Sequence, residues 1–175
     1  MGKIFNVLLI TLTLSIISCK KDSSSTCTPN MTATFNSDVF SACGSSAIFP
    51  SVGGIPATYL SISGVSRDES NSVKYSIDIK LNTSDITAIT PRTYVVNNGS
   101  SVPSGQTFSV NVAARIAEGS GTFYNSTSGS LTIEQVSNTH IKGTFNANCA
   151  KSGIIGSGPA TISITSGNFD YDIIN

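Results

Sequence analysis

Three cysteines in the body of the chain, Cys27, Cys43 and Cys149, are the residues best suited to covalent chemistry. In an oxidising compartment, three thiols can form one disulfide and leave one thiol over. Cys149 lies on the same apolar alternation as Phe145 and Ala147, and Cys43 ends an early apolar segment. We therefore expect a Cys43–Cys149 disulfide, with Cys27–Cys43 as the alternative, because spacing alone does not fix connectivity.

Catalysis or metal binding would need more partners than the sequence offers. His140 is the single histidine, and no nucleophile signature surrounds any cysteine. Asp170 and Asp172 alternate along the last apolar segment, and Asp68-Glu69 lie in a predicted loop. Calcium needs about six to eight oxygen ligands in a shaped loop, and no such motif is present. We expect no catalytic residue, no metal site and no cofactor.

Tyrosines are the residues that favour ligand binding. Tyr59 falls on the polar face of its segment, and we take Tyr59 and Tyr124 as the candidate ligand contacts, for example by stacking on a sugar. Tyr75 and Tyr171 lie on apolar alternations, so we expect both in the core. The chain has no Trp, the residue that stacks most strongly on sugars.

The N-terminus has the pattern of a secretory signal peptide. Lys3 precedes an apolar segment over residues 4–17, and Ser18 is a small residue at the cleavage point. The segment is shorter than the roughly 20 residues that a membrane-spanning helix needs. The sequence Ile-Ile-Ser-Cys, ending at Cys19, resembles the bacterial lipobox, in which the chain is cut before the cysteine and the thiol is acylated. We expect a signal peptide over residues 1–18 and lipid attachment at Cys19.

Composition excludes one class of partner. The chain has ten Lys plus Arg and ten Asp plus Glu, and the signal peptide removes Lys3, so the remainder has a formal charge near −1. No basic patch is present, and we expect no nucleic-acid partner. The length left after cleavage is that of one domain. It is sufficient for a hydrophobic core.

Alternating apolar and polar residues dominate the chain after residue 30. Apolar side chains at every second position predict half-buried strands, whereas a helix would scatter them around its axis. The clearest segments are residues 73–81, 108–116, 141–149, 160–165 and 169–173. Shorter candidates are residues 32–35, 39–43, 59–65, 93–96, 121–124 and 130–133.

Polar clusters with glycine separate these segments and indicate hairpin loops. They lie at residues 97–100, 126–129, 152–153 and 166–168, and a longer loop spans residues 49–58. About ten short strands with short connections predict an all-β fold, a single antiparallel β-sandwich or β-barrel. Residues 19–30 lack apolar periodicity and are rich in Ser and Lys, so we expect a flexible tether there, followed by the β domain over residues 31–175.

The order of several fragments resembles a domain-of-unknown-function family of small outer-membrane lipoproteins from Bacteroidota. The fragments are the lipobox with Lys20-Lys21-Asp22, residues 32–35, 39–42, 129–133, 142–147 and 164–169. The resemblance implies an antiparallel β domain anchored at the outer membrane. It brings no catalytic residues, and the cysteines at positions 27, 43 and 149 are not part of the family pattern.

Together these features predict a non-enzymatic lipoprotein, a binding or structural module held at the outer membrane by acylated Cys19. The partner would be a glycan or a protein. The alternative is a lipocalin-like carrier, in which the inward apolar side chains line a cavity for a small apolar ligand. The sequence does not distinguish the periplasmic leaflet from the cell-surface leaflet, and it leaves the oligomeric state open.

Overall fold

The computed structural model describes residues 27–43, 47–48, 59–83, 85–98, 102, 104–117, 121–153 and 156–174. The predicted signal peptide, Cys19, the first part of the tether and the loop over residues 49–58 lie outside these ranges. Among the described residues, no helix is long and apolar enough to cross a membrane.

The described chain is all-β, with one short 3-10 turn at Ile86–Ala88. This confirms the all-β part of the predicted fold class. The strands are β1 (Met31–Phe35), β2 (Asp38–Ala42), β3 (Ala47–Ile48), β4 (Tyr59–Arg67), β5 (Val73–Thr83), β6 (Arg92–Val96), β7 (Phe108–Ile116), β8 (Thr122–Val136), β9 (His140–Ser152) and β10 (Thr161–Ile174).

The strands form one sheet with mostly antiparallel neighbours. Their order is β2-β1-β10-β3-β4-β5-β7-β6-β8-β9, and β9 and β8 also pair with β10 and β7, respectively. Two contacts are parallel: β3 with β10, and β6 with β7 at the single pair Val96 and Val110. The sheet therefore holds β6 between β7 and β8.

The core follows the alternation read from the sequence. On β5, the side chains of Tyr75, Ile77, Ile79 and Leu81 are buried, and Lys74, Asp78 and Lys80 are exposed. The same pattern on the other strands gives one continuous hydrophobic cluster. Tyr171 is buried in it as well. Burial of apolar area at roughly 25 cal/mol per Å² is the main stabilising term for such a cluster.

The prediction of a hairpin loop is wrong at two places. Residues 126–129 lie inside β8, and residues 166–168 lie inside β10. At each place the register shifts, between Ser126 and Ser128 and between Ile164 and Gly167, which marks a β-bulge. A bulge moves the apolar positions from even to odd numbers without reversing the strand. The break in alternation was therefore real, but its cause was not a turn.

The end of the predicted tether contacts the β domain. The backbone N–H of Asn30 donates to the carbonyl oxygen of Ala42 at 2.9 Å, and the backbone N–H of Asp170 donates to the carbonyl oxygen of Asn30 at 2.9 Å. Cys27 lies at disulfide distance from Cys43, at the end of β2. The last four residues of the 19–30 segment are thus held against β2 and β10.

Candidate functional site

A cleft opens where β6 and β7 separate. Both strands pair with β8, but at different ends: β7 residues 113–116 pair with residues 122–125, and β6 residues 92–96 pair with residues 129–133. Between them, β6 bonds β7 only through Val96 and Val110. Residues 92–94 of β6 therefore have no ladder partner on β7, and a gap lies between the two strands.

Polar side chains fix the closed end of this gap. The hydroxyl of Ser126 donates to the carbonyl oxygen of Asn97 at 2.7 Å and accepts from the N–H of Val112 at 3.0 Å. Ser109 donates from Oγ to Oδ1 of Asn97 at 3.0 Å. Ser109 and Ser126 are buried, and a satisfied buried network makes a strand arrangement specific. The hydroxyl of Ser126 thus hydrogen-bonds two backbone groups at the β8 bulge, where the backbone pairing between β7 and β8 ends.

Aromatic rings and an arginine form the open end. The guanidinium of Arg92 lies over the ring of Tyr94 at 4.6 Å and over the ring of Phe108 at 4.3 Å. The two rings meet edge to face with centroids 5.1 Å apart. The Tyr94 hydroxyl donates to the carbonyl oxygen of Thr90 and accepts from its N–H, both at 2.9 Å. These contacts hold Arg92 against a rigid aromatic surface.

The resulting cleft has a volume of about 610 Å³. That volume is within the range of small-molecule sites, about 300 to 1,000 Å³. Amide and hydroxyl side chains, two aromatic side chains and one cation converge on it. Its lining residues are Arg92, Thr93, Tyr94, Val95, Asn97, Gln106, Thr107, Phe108 and Val110.

No residue of this cleft was expected from the sequence to contact a ligand. Arg92 and Tyr94 lie two positions apart, on one face of a strand, which is a local signal for a cation next to a ring. Phe108, however, belongs to another strand. The parallel contact that brings Phe108 opposite Tyr94 joins β6 and β7 through one residue pair, Val96 and Val110, and no local pattern reports such a contact.

The structure places Tyr59 and Tyr124 differently from each other. Tyr59 is half-buried at the start of β4, and Nζ of Lys80 lies 5.4 Å from its ring centroid. Tyr124 is 0% exposed, and its hydroxyl donates to the carbonyl oxygen of Pro159 at 3.1 Å. The expectation that Tyr124 contacts a ligand is therefore wrong, because it lies before the β8 bulge and faces the core. A ligand contact at Tyr59 stays a prediction, and this residue lies away from the cleft.

The cysteines do not form the disulfide that we expected first. Cys43 lies at disulfide distance from Cys27, with Cα atoms 6.1 Å apart, and Cys149 is a free, buried thiol. The Cys43–Cys149 pairing is wrong because Cys149 faces inward in the middle of β9, while Cys43 is exposed beyond the end of β2. Closing a loop of about 15 residues stabilises by roughly 3 kcal/mol in the chain-entropy model.

His140 joins the two aspartates of the last strand. Its Nε2 lies 3.1 Å from Oδ1 of Asp170, and its Nδ1 lies 3.3 Å from Oδ1 of Asp172. Each ring nitrogen therefore already has a carboxylate partner on the exposed face of β10. Within the ranges that the structure describes, no group of three or more His, Cys, Asp or Glu is arranged to hold a metal ion.

Comparison with known proteins gives no relative. No protein-family model matches the chain. No curated protein and no solved structure matches it either. Functional inference for this chain therefore depends on its own residues and geometry.

Proposed function

We propose that this protein is a membrane-anchored, non-enzymatic binding module that holds a glycan in the β6–β7 cleft. The observation that carries the proposal is the convergence of amide, hydroxyl and aromatic groups on one open cleft of about 610 Å³. Sugars present hydroxyl groups at their edges and apolar C–H groups on their faces. Gln106 and Thr107 match the hydroxyls, and the exposed part of the Phe108 side chain matches the apolar face.

We further propose that the sheet closes into a β-barrel. Two sets of pairings support this: β10 pairs with β9 along one edge and with β1 and β3 along the other, and β3 in turn pairs with β4. A closed sheet has no long exposed edge, which protects it from pairing with other chains. It also gives the cleft two rigid walls.

The packing of the described interior supports the binding module over the lipocalin-like carrier. The inward side chains of all the longer strands contact one another in a single buried cluster. Side chains that fill an interior leave no volume for an apolar ligand. The cleft, by contrast, is open and polar at its rim.

The anchoring part of the proposal rests on the N-terminal sequence. Acylation of Cys19 would attach the domain to the outer membrane, and several acyl chains hold far more firmly than one, at about 0.8 kcal/mol per buried CH₂. The tether between Cys19 and Cys27 separates the lipid from the β domain. At up to about 3.6 Å per residue, it is long enough to cross the headgroup layer.

A binding experiment tests the module. The full chain in detergent is titrated by calorimetry with a panel of neutral and acidic oligosaccharides, alongside Phe108→Ala and Gln106→Ala. Because one stacking contact or hydrogen bond contributes about 0.5 to 1.5 kcal/mol, we expect each variant to weaken binding by about threefold to tenfold. Gln106 is exposed, so its replacement removes no core contact and leaves the fold intact.

Phe123→Ala is the matched control. Phe123 is a 54% exposed phenylalanine on β8 with its own arginine, Arg115, 5.3 Å from its ring centroid, and it lies outside the cleft. We expect it to bind as the unchanged protein does. Binding that is lost equally in Phe123→Ala, or that survives both cleft variants, would refute the cleft as the site. Binding of an extended peptide in place of any glycan would point to the open edge of β6 instead.

A further inference from the structure

Like the other Lys and Arg side chains of the described residues, Arg92 is in no ion pair, and it differs from them in contacting two aromatic rings at the cleft. The ion pairs there involve His140 alone, and both lie on the opposite edge of β9. Glu134 follows Ile133, the β8 partner of Arg92, but it is not within ion-pair distance. The guanidinium therefore brings an uncompensated positive charge to the rim of the cleft.

The rings of Tyr94 and Phe108 fix the position of this charge. A guanidinium that contacts two aromatic rings loses some of its rotational freedom. Its five N–H donors lie in the plane of the group and point outward from its edges. An arginine held in this way needs little further ordering to bind a planar anion through two parallel hydrogen bonds.

We propose that the natural ligand is an acidic oligosaccharide whose carboxylate binds Arg92. This inference rests on the proposed glycan-binding function and deepens it by naming the class of sugar. The hydroxyl groups of the sugar bond the amides and hydroxyls of the cleft, and the carboxylate supplies the charge that the protein lacks at Arg92. A neutral sugar would leave the guanidinium unpaired and would gain only the weaker contacts.

The test compares each acid with its neutral counterpart. The full chain in detergent is titrated with tetragalacturonate and its methyl ester, and with sialyllactose and its methyl ester, at about 0.05 M and about 0.5 M salt. Hydrogen bonds to a charged group are stronger than neutral ones, but Arg92 is exposed and water weakens its ion pairs, so we expect an acid to bind about threefold to tenfold more tightly than its neutral form at low salt. High salt should reduce this difference, because it screens an exposed ion pair.

Two variants assign the difference to one residue. Arg92→Gln should bind the acid and its neutral form equally, whereas Arg115→Gln, which removes the arginine over Phe123, should keep the preference for the acid. Equal binding of both forms by the unchanged protein, with loss in Phe108→Ala, would overturn this inference and leave the glycan module standing. Loss of the preference in both arginine variants would also overturn it, since the preference for the acid would then come from the overall charge of the protein and not from Arg92. Binding of no saccharide at all would overturn both proposals.

Discussion

At the scale of single residues, Cys149 shows how burial decides the chemistry of a reactive group. Its side chain is 1% exposed, and its thiol donates weakly to the carbonyl oxygen of Val112 at 3.9 Å. Burial raises the pKa of Cys149 from 9.0 to about 11. The thiolate, which is the reactive form, is therefore scarce at neutral pH. Cys149 acts as a small apolar core residue.

We expect Cys149 to be unreactive in the folded protein. With a thiol reagent at pH 8, the folded chain should show no reaction within minutes, and the chain denatured without reductant should show one thiol. One thiol is expected because Cys27 and Cys43 are paired and the proposed acylation would block the thiol of Cys19. Detection of three or more thiols in the denatured chain would contradict the Cys27–Cys43 bridge.

The same pKa shift predicts a loss of stability in alkali. The thiol ionises at lower pH in the unfolded chain than in the folded chain, so its contribution is complete below pH 9 and is lost as pH rises toward about 11. Urea denaturation at a series of pH values should show this decline. Cys149→Val removes the ionisable group, and a decline of equal size in that variant would assign the effect to other residues.

At the scale of elements, two glycines set the register of β9 against β10. Gly143 lies opposite Phe169, and Gly167 lies opposite Phe145. A Cβ at Gly143 would come within 2.7 Å of Cζ of Phe169 and would overlap the carbonyl oxygen of Thr132. Each ring occupies the space above the glycine on the facing strand. The two pairs hold the strands in one register on the C-terminal side of the bulge in β10.

We therefore expect Gly143→Ala to destabilise the protein by about 2 to 3 kcal/mol, since added volume in a close-packed place forces the backbone to move. Urea denaturation measures the change. Lys142→Ala, at the neighbouring exposed position of β9, is the control and should stay within about 0.5 kcal/mol. If Gly143→Ala were as stable as the unchanged protein, β9 and β10 would have to move apart at little cost to accommodate the added Cβ.

At the scale of the whole molecule, the proposed lipid anchor and the cleft lie in different parts of the chain. Cys27 is bonded to the end of β2, whereas the cleft lies between β6 and β7. In the described part of the chain, the cleft is lined by β6, β7 and residues next to them, and β2 pairs with neither strand. The tether therefore joins the domain at a strand that does not border the cleft.

We expect Cys19→Ala to release the protein from the membrane, because no acyl chain can then be attached. Expressed in the native cell type and separated in a detergent that forms two phases, the unchanged chain should enter the detergent phase and the variant the aqueous phase. Cys149→Ala is the matched control and should stay with the detergent. Incorporation of labelled palmitate into Cys19→Ala would contradict the proposed attachment site.

Much of the fold was predictable because alternation with a period of two is a local property. The buried faces of β5, β7 and β9 follow from residues that are neighbours in the chain. The positions of the two bulges were visible too, as breaks in the alternation near Gly129 and Gly167. Sequence could not separate a bulge from a turn, since both favour Gly and Ser and both shift the apolar positions by one residue.

The sequence by itself determined the all-β class, the faces of the strands and the predicted address at Cys19. Only the tertiary structure decided which residues meet across the sheet: Cys27 with Cys43, His140 with Asp170 and Asp172, and Arg92 with Phe108. The physical reason is that the face of a strand on which a side chain lies follows from its neighbours in the chain. The order of the strands, by contrast, depends on packing over the whole core. The cleft results from that order, because β6 pairs with β8 and leaves one edge open toward β7.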